Sequence, residues 1–333
     1  MSELIININH ESEIPKYQQV VNAINNAISK GVLKQGNVLP SVNNICKVNS
    51  LSRDTVFKSY SILKEQGVIE SVPNKGYYVA NETKKILLVL DTFKAYKEVL
   101  YHSFIKNLPP NIITDVQFHH YNIDNFKNII NNSIGKYYKY VVMNFDDKSI
   151  SSILSQISNT KLLLIDWNIN SDAKNNCVFQ DFGKAFYEGI TQAKPFLDKY
   201  DETIFVYPDY TNHPYETIEY FQLFCKDNNI KHRVLKDVTH FKIEKNKVYI
   251  SVSDRFLGLI LEQCSDKKFE LGKDIGLLSY NETPMKKFIY KGISVISTDF
   301  KEMGTKAAKF ISQDKDTTLQ HYIKTKLTIR ESL

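Results

Sequence analysis

The sequence predicts an α/β protein in two parts: a small, mainly helical unit, then a large unit of parallel, doubly wound sheets. Three observations carry that expectation. Helix-start and helix-stop residues with helical periodicity fill most of residues 15–67, and a short hairpin pattern follows. Beyond residue 85, short apolar runs alternate with helical stretches. Strands apolar on both faces and separated by helices belong to parallel sheets covered on both sides. The boundaries read as a first domain over residues 1–80, a polar linker "NETKK" at 81–85 and a second domain over 86–333. At roughly 100–200 residues per domain, about 250 residues suit two linked lobes rather than one compact domain.

In the first unit, Pro15 opens a helix in which Tyr17, Val20, Val21, Ile24 and Ile28 recur at helical spacing, and Gly31 stops it. Ser41 is placed to cap a short second helix, which Asn49 and Ser50 break. Ser52 caps a third helix whose buried stripe is Val56, Tyr60 and Leu63 and which ends at Gly67. "VIESVPNKGYYVA" reads as two short strands around a turn at 73–76. Three short helices and a hairpin make a winged helix-turn-helix, whose third helix enters the major groove of DNA.

The chemistry of the third helix start fits that placement. Arg53, Asp54 and Lys58 are its exposed charges, with Thr55 beside them. Arginine donates a bidentate pair to guanine, and serine and threonine hydroxyls with free helix-start N–H groups suit phosphate oxygens. Over residues 16–80, eight Lys and Arg stand against three acids. The whole chain carries a formal charge of +6, which agrees with a nucleic-acid partner without requiring one.

The stretch from "PKYQQ" through "GVLKQGNVLPS", "LSRDTV", "LKEQGVI" and "KGYYV" resembles the DNA-binding domain of the GntR family of bacterial regulators. The resemblance implies DNA contacts from the LPS loop, the third helix start and the wing tip. Carried onto this sequence, these are Ser41, Ser52, Arg53, Thr55, Asn74, Lys75 and Gly76; Asn43, Asp54 and Lys58, which lie beside them, are further candidate contacts. The family commonly has Glu-Arg after the LPS sequence, where Val42 and Asn43 stand here. It often has Arg where Phe57 stands.

In the second unit, the strand ends gather Asp91, Phe93, Asn144, Asp146, Trp167, Tyr210, Asp254, Arg255 and Asn281; Tyr215 lies in the helix opening that follows one of them. Carboxylates and amides bond vicinal hydroxyls, and an aromatic face covers the apolar side of a sugar ring. In open α/β sheets, ligands bind beyond the carboxyl ends of the strands. "ISVSDRFLGLILEQ", "GKDIGLLSYNETPMKKFI" and "GISVISTDFKEMGTKAAKFI" resemble the effector domain of the LacI family, itself similar to periplasmic sugar-binding proteins. Ser253 replaces the usual Asn, and Asn281 stands where a ligand-binding Asp often does. The resemblance implies a two-lobed, periplasmic-binding-protein-like domain with a small effector between the lobes, usually a sugar and sometimes a nucleobase; a monosaccharide is the expectation here.

The expectation is therefore a transcriptional regulator, not an enzyme: a homodimer on a double-stranded, pseudo-palindromic operator, responding to a small sugar. The competing readings are a GntR-type regulator of a non-sugar metabolite and a sugar-processing enzyme with a DNA-binding domain. No P-loop, dinucleotide fingerprint or G-x-S-x-G elbow appears, so no catalytic residue and no cofactor is expected. Cys46, Cys177, Cys225 and Cys264 lack metal-ligand spacing and read as reduced thiols. No signal-peptide pattern and no apolar run long enough to span a bilayer is present, so a cytoplasmic location without membrane contact is expected. His119 and His120 read as solvated histidines at a strand end.

Overall fold

The structure, a computed structural model, describes residues 6–9, 11–73, 75–80, 84–168, 175–313 and 318–333. The chain divides into two units, Met1–Thr83 and Lys84–Leu333.

The small unit holds α1 (Lys16–Ser29), α2 (Val42–Asn49), α3 (Arg53–Glu65) and the antiparallel hairpin β1 (Ile69–Val72) and β2 (Gly76–Val79). Each helix starts and stops where its local chemistry demands. The Ser41 side chain accepts from the Asn44 N–H, and the Ser52 side chain accepts from the Thr55 N–H. Gly31 and Gly67 take the left-handed conformation just past α1 and α3. Val20, Ile24, Ile45, Val56, Tyr60 and Leu63 bury one shared core. The Tyr60 hydroxyl donates to the Pro40 carbonyl at 2.6 Å, fixing the LPS loop to α3. The same loop bonds to the wing: Leu39 N–H donates to Tyr77 and Val79 N–H donates to Asn37. One core thus positions the loop, helix start and hairpin.

The large unit has two lobes. The first carries β3 (Lys84–Leu90), α4 (Ala95–Lys106), β4 (Ile112–Phe118), α5 (Ile123–Ser133), β5 (Lys139–Met143), α6 (Ile150–Leu154), β6 (Leu162–Trp167) and β7 (Asn176–Gln180). The second carries α7 (Lys184–Leu197), β8 (Glu202–Val206), α8 (Glu216–Asp227), β9 (His232–Leu235), β10 (Lys247–Ser251), α9 (Asp254–Lys267), β11 (Ile275–Tyr280) and β12 (Ser294–Thr298). The chain then returns to the first lobe as α10 (Phe300–Ser312) and β13 (Gln320–Tyr322), and ends in the second as β14 (Thr325–Thr328). Lys84 and Lys85, expected in the linker, are the first residues of β3 and pair with Ile112 and Ile113. Their polarity hid a strand end whose apolar run begins only at Ile86.

The strand orders are β13-β7-β6-β5-β3-β4 and β14-β12-β11-β10-β8-β9. All pairings are parallel except β12 with β14. Along β3, Ile86, Leu88 and Leu90 enter the core beneath α4 and α10, while Leu87 and Val89 enter the opposite core beneath α5 and α6. The second sheet is covered likewise, by α7 and α8 on one face and α9 on the other. This is the doubly wound arrangement that the two-sided apolar runs predict. At Gly304 an added Cβ would lie 2.4 Å from the Leu100 carbonyl, so only glycine lets α10 seat against α4. In each lobe the order reverses beside its first strand, between β3 and β5 and between β8 and β10. Ligands in such sheets bind at these switch points.

Candidate functional site

In the small unit, α3 presents its first turn to solvent. Arg53, Asp54 and Lys58 are exposed and Thr55 is half-buried. The Arg53 guanidinium lies 5.7 Å from the Phe57 ring centroid, which limits the arc the side chain sweeps. The Ser52 and Thr55 hydroxyls lie 2.8 Å apart and share one proton, leaving the other to donate outward. Ser41 and Asn43 are exposed at the start of α2. The Lys58 ammonium sits 4.0 Å from the Tyr17 ring centroid and so leans toward α1. Asp54 complements the positive end of the α3 dipole. At the wing, Lys75 and Gly76 are exposed, and Gly76 has φ +104° with open space around it. Asn74 lies outside the described residues.

In the large unit, a cavity of ≈ 330 Å³ lies between the lobes, within the size range of small-ligand clefts. Asp91, Lys94, Tyr96, Tyr121, Asn144, Asp166, Trp167 and Gln180 line it from the first lobe. From the second come Thr211, Asn212, His213, Ser253, Asp254, Arg255, Tyr280 and Asn281, with Phe182 where the chain passes between lobes. The cavity joins the two switch points.

Each lobe holds one carboxylate with a buried lysine. Lys97, 0% exposed, bonds Asp91 Oδ1, while the Tyr121 hydroxyl donates to Oδ2. Lys286, 1% exposed, lies 2.8 Å from Asp254 Oδ1 and also donates to the Tyr280 and Asn281 carbonyls. Burial lowers both ammonium groups, Lys97 to about 8. Burial also raises the Asp166 carboxyl, opposed by the Gln180 hydrogen bond and by Lys97.

Two groups in the lining have no internal partner. The Tyr280 hydroxyl and Asn281 Oδ1 are buried without a hydrogen bond among the described residues. Such atoms carry a desolvation cost that a bound polar molecule removes. His213 adds a third acceptor. Thr217 donates its hydroxyl proton to Phe182, so the 3.0 Å contact with His213 Nε2 makes that nitrogen the donor. Nδ1 is then left as a lone-pair acceptor. Burial, helped by the nearby Lys94 charge, lowers this imidazole to about 3 and keeps it neutral. Trp167, Phe182 and Tyr280 supply ring surfaces, with Trp167 edge-on to Phe182 at 5.9 Å.

Of the residues read from sequence, Asp91, Asn144, Trp167, Asp254, Arg255 and Asn281 meet in this cavity. Four do not. Phe93 turns to solvent, edge-on to Tyr101 and Phe118. Asp146 is exposed, following Phe145, which is held in the core against His119 at 4.8 Å. Tyr210 is exposed on its loop, and exposed Tyr215 precedes α8 with the Lys236 ammonium 5.3 Å from its ring. Strand-end position alone leaves the direction of a loop side chain open. Tyr121 and Gln180 lacked any motif; they come from the ends of β4 and β7, strands far apart in the sheet whose ends face one cleft. His119, read as solvated, is fully buried, with Nδ1 accepting from the Tyr121 N–H and Nε2 donating to the Met143 carbonyl. Among the described residues no cluster of His, Cys, Asp and Glu is set to hold a metal. No helix among them is long and apolar enough to cross a membrane.

Residues 16–79, nearly the whole described small unit, match the family described as bacterial regulatory proteins, gntR family. The chain is 31% identical over 84 residues to the HTH-type transcriptional repressor YtrA of Bacillus subtilis. That match spans 25% of this chain and 65% of the relative. The large unit has the fold of LacI-family regulators. The trehalose repressor from Escherichia coli aligns with a TM-score of 0.63 at 11% identity, over 74% of this chain and 100% of the other. A LacI family transcriptional regulator from Lactobacillus casei with bound glucose aligns with a TM-score of 0.63 at 8% identity, over 75% of this chain and 99% of the other. The architecture is thus a GntR-type winged helix-turn-helix followed by a LacI-like, two-lobed domain.

Proposed function

We propose that this protein is a transcriptional repressor whose affinity for its operator is set by a small sugar held between the lobes of the large unit. The buried, unpartnered Tyr280 hydroxyl and Asn281 Oδ1 carry the ligand half of this reading. They sit with fixed carboxylates and aromatic faces in one cavity at the switch points, a combination suited to a ring of hydroxyls. Arg53 and the hydroxyls at the α3 start carry the DNA half. The similarity to a trehalose repressor and to a glucose-bound regulator supports the sugar class.

The protein acts in the cytoplasm as a homodimer, pairing two winged units on a pseudo-palindromic operator. The sugar binds the closed lobes better than the open ones and so shifts their balance. A coupling of about 1–3 kcal/mol changes operator affinity roughly 5–150-fold. The cavity binds its ligand without transforming it, because its carboxylates are engaged by fixed donors.

A thermal-shift screen against monosaccharides and disaccharides tests the reading, since a ligand specific to the folded state raises apparent stability. The sugar that raises the melting temperature should also release the protein from a fragment of its own promoter. Asp254→Ala and Asn281→Ala should each abolish the shift and leave DNA binding intact. A protein that binds promoter DNA but responds to no carbohydrate in either assay would overturn the sugar assignment.

A further inference from the structure

We infer that Gln180 and Thr298 are positioning residues that join the cleft to the hinge between the lobes, so that the Asp166 carboxylate sets how firmly the crossing strands are held. The regulatory meaning rests on reading the cleft as an effector site; the hinge chemistry stands on its own geometry.

The chain passes between the lobes three times: after β7, after β12 and between β13 and β14. Gln180 is the last residue of β7, Thr298 the last of β12 and Thr325 the first of β14. All three are buried, at 1%, 3% and 7% exposure, so water does not replace their mutual bonds. Gln180 Nε2 donates to Asp166 Oδ1 at 2.5 Å. Gln180 Oε1 accepts the Thr298 hydroxyl proton at 2.7 Å. That proton being used, the 3.1 Å contact between Thr298 and Thr325 makes Thr325 the donor. Every donor therefore points the same way, from β14 through β12 and β7 to the carboxylate, and successive bonds polarise one another. A backbone bond from Ile323 to Phe179 ties the first and third crossings; the side-chain chain brings in the second.

Asp166 is the carboxylate at the end of this hydrogen-bonded relay, and it lines the cavity with φ +75°. A non-glycine residue keeps such a conformation only where its surroundings hold it there. A hydroxyl donor in the cleft shares the Asp166 charge and weakens its hold on Gln180. Gln180 is then less firmly fixed, the Thr298 and Thr325 bonds that lean on it weaken, and all three crossings loosen together.

Hydrogen exchange on the full chain tests the relay at backbone amides 181–183, 299–300 and 322–325. Thr298→Val should raise exchange at all three by roughly 2–10-fold, the size of one lost hydrogen bond. Thr298→Ser should restore protection. Asp166→Asn, which weakens the terminal acceptor, should raise exchange at 322–325 despite its distance in sequence, and should add nothing to Thr298→Val. Exchange confined to 298–300, or additive effects in the double variant, overturns the relay. Should Thr298→Val fail to fold, Asp166→Asn alone decides: unchanged exchange at 322–325 overturns it. Millimolar D-glucose or D-ribose separates the two readings. A relay that passes the variant tests while neither sugar protects 166–167 or 280–281 stands, and the effector assignment loses its support. Sugar protection at those residues with unchanged crossings overturns the relay.

Discussion

Arg53 is exposed at the start of α3 and, among the described residues, packs beside the Phe57 ring, so its replacement should affect DNA and little else. Arg53→Ala should lower operator affinity by roughly 5–150-fold, the range of one bidentate guanine contact, with sugar binding unchanged in calorimetry; equal operator affinity would remove the contact. His119 makes a different kind of prediction. Protonating it would set a donor against the Tyr121 N–H, and burial already lowers it to about 4 from an ordinary 6.5. The unfolded chain takes up that proton first, so stability falls as the pH drops from 6.5 towards 4, and the loss levels off below. His119→Gln should reduce the stability lost between pH 7 and pH 5 by about 2 kcal/mol, read by chemical denaturation at both values. The sequence made the residue types at the cleft legible where they sat in motifs, as with Asp254 and Asn281. It left His119 misread, because a polar pair at a strand end says nothing of which member the next helix covers.

At the scale of the element, the helix starts were the most legible features, since a cap is local chemistry. Ser52 both caps α3 and shares a proton with Thr55. Ser52→Ala should cost about 1 kcal/mol of small-unit stability and weaken operator binding with it; a thermal unfolding curve matching wild type would show that the cap is dispensable. The parallel strands were legible as apolar runs, with ends that shifted by a few residues because polar ends such as Lys84 and Lys85 still pair. Helix α4 carried no clear amphipathic signal, for Lys97 is buried in it beside Leu100 and Phe104. A lysine that goes inside to meet Asp91 contradicts the pattern by which a helix is recognised. The hinge strands β13 and β14 are three and four residues long and acquire meaning only through partners far away in the chain.

At the scale of the molecule, the pseudo-palindromic operator proposed above calls for a homodimer. The short turn after β11 carries Met285, Phe288 and Tyr290 exposed together, with Phe288 at 78%. In the proposed homodimer this apolar surface is the candidate to meet the second copy. Phe288→Asp should give a monomer by light scattering with sugar binding retained; a dimer of unchanged mass would move the interface elsewhere. The overall plan was legible because each part follows its own rule of periodicity, whereas the cavity was only partly so, because two lobes assemble it from loops of no fixed direction. The triple crossing has a consequence for synthesis. The winged unit is one unbroken stretch and has all its parts as soon as β2 leaves the ribosome. The first lobe does not: α10, which covers Leu88, Leu100 and Phe104, and its edge strand β13 are translated after almost the whole second lobe. A nascent chain can thus carry a finished winged unit long before it carries a finished two-lobed unit, with one oily face of the first lobe waiting uncovered for its late helix.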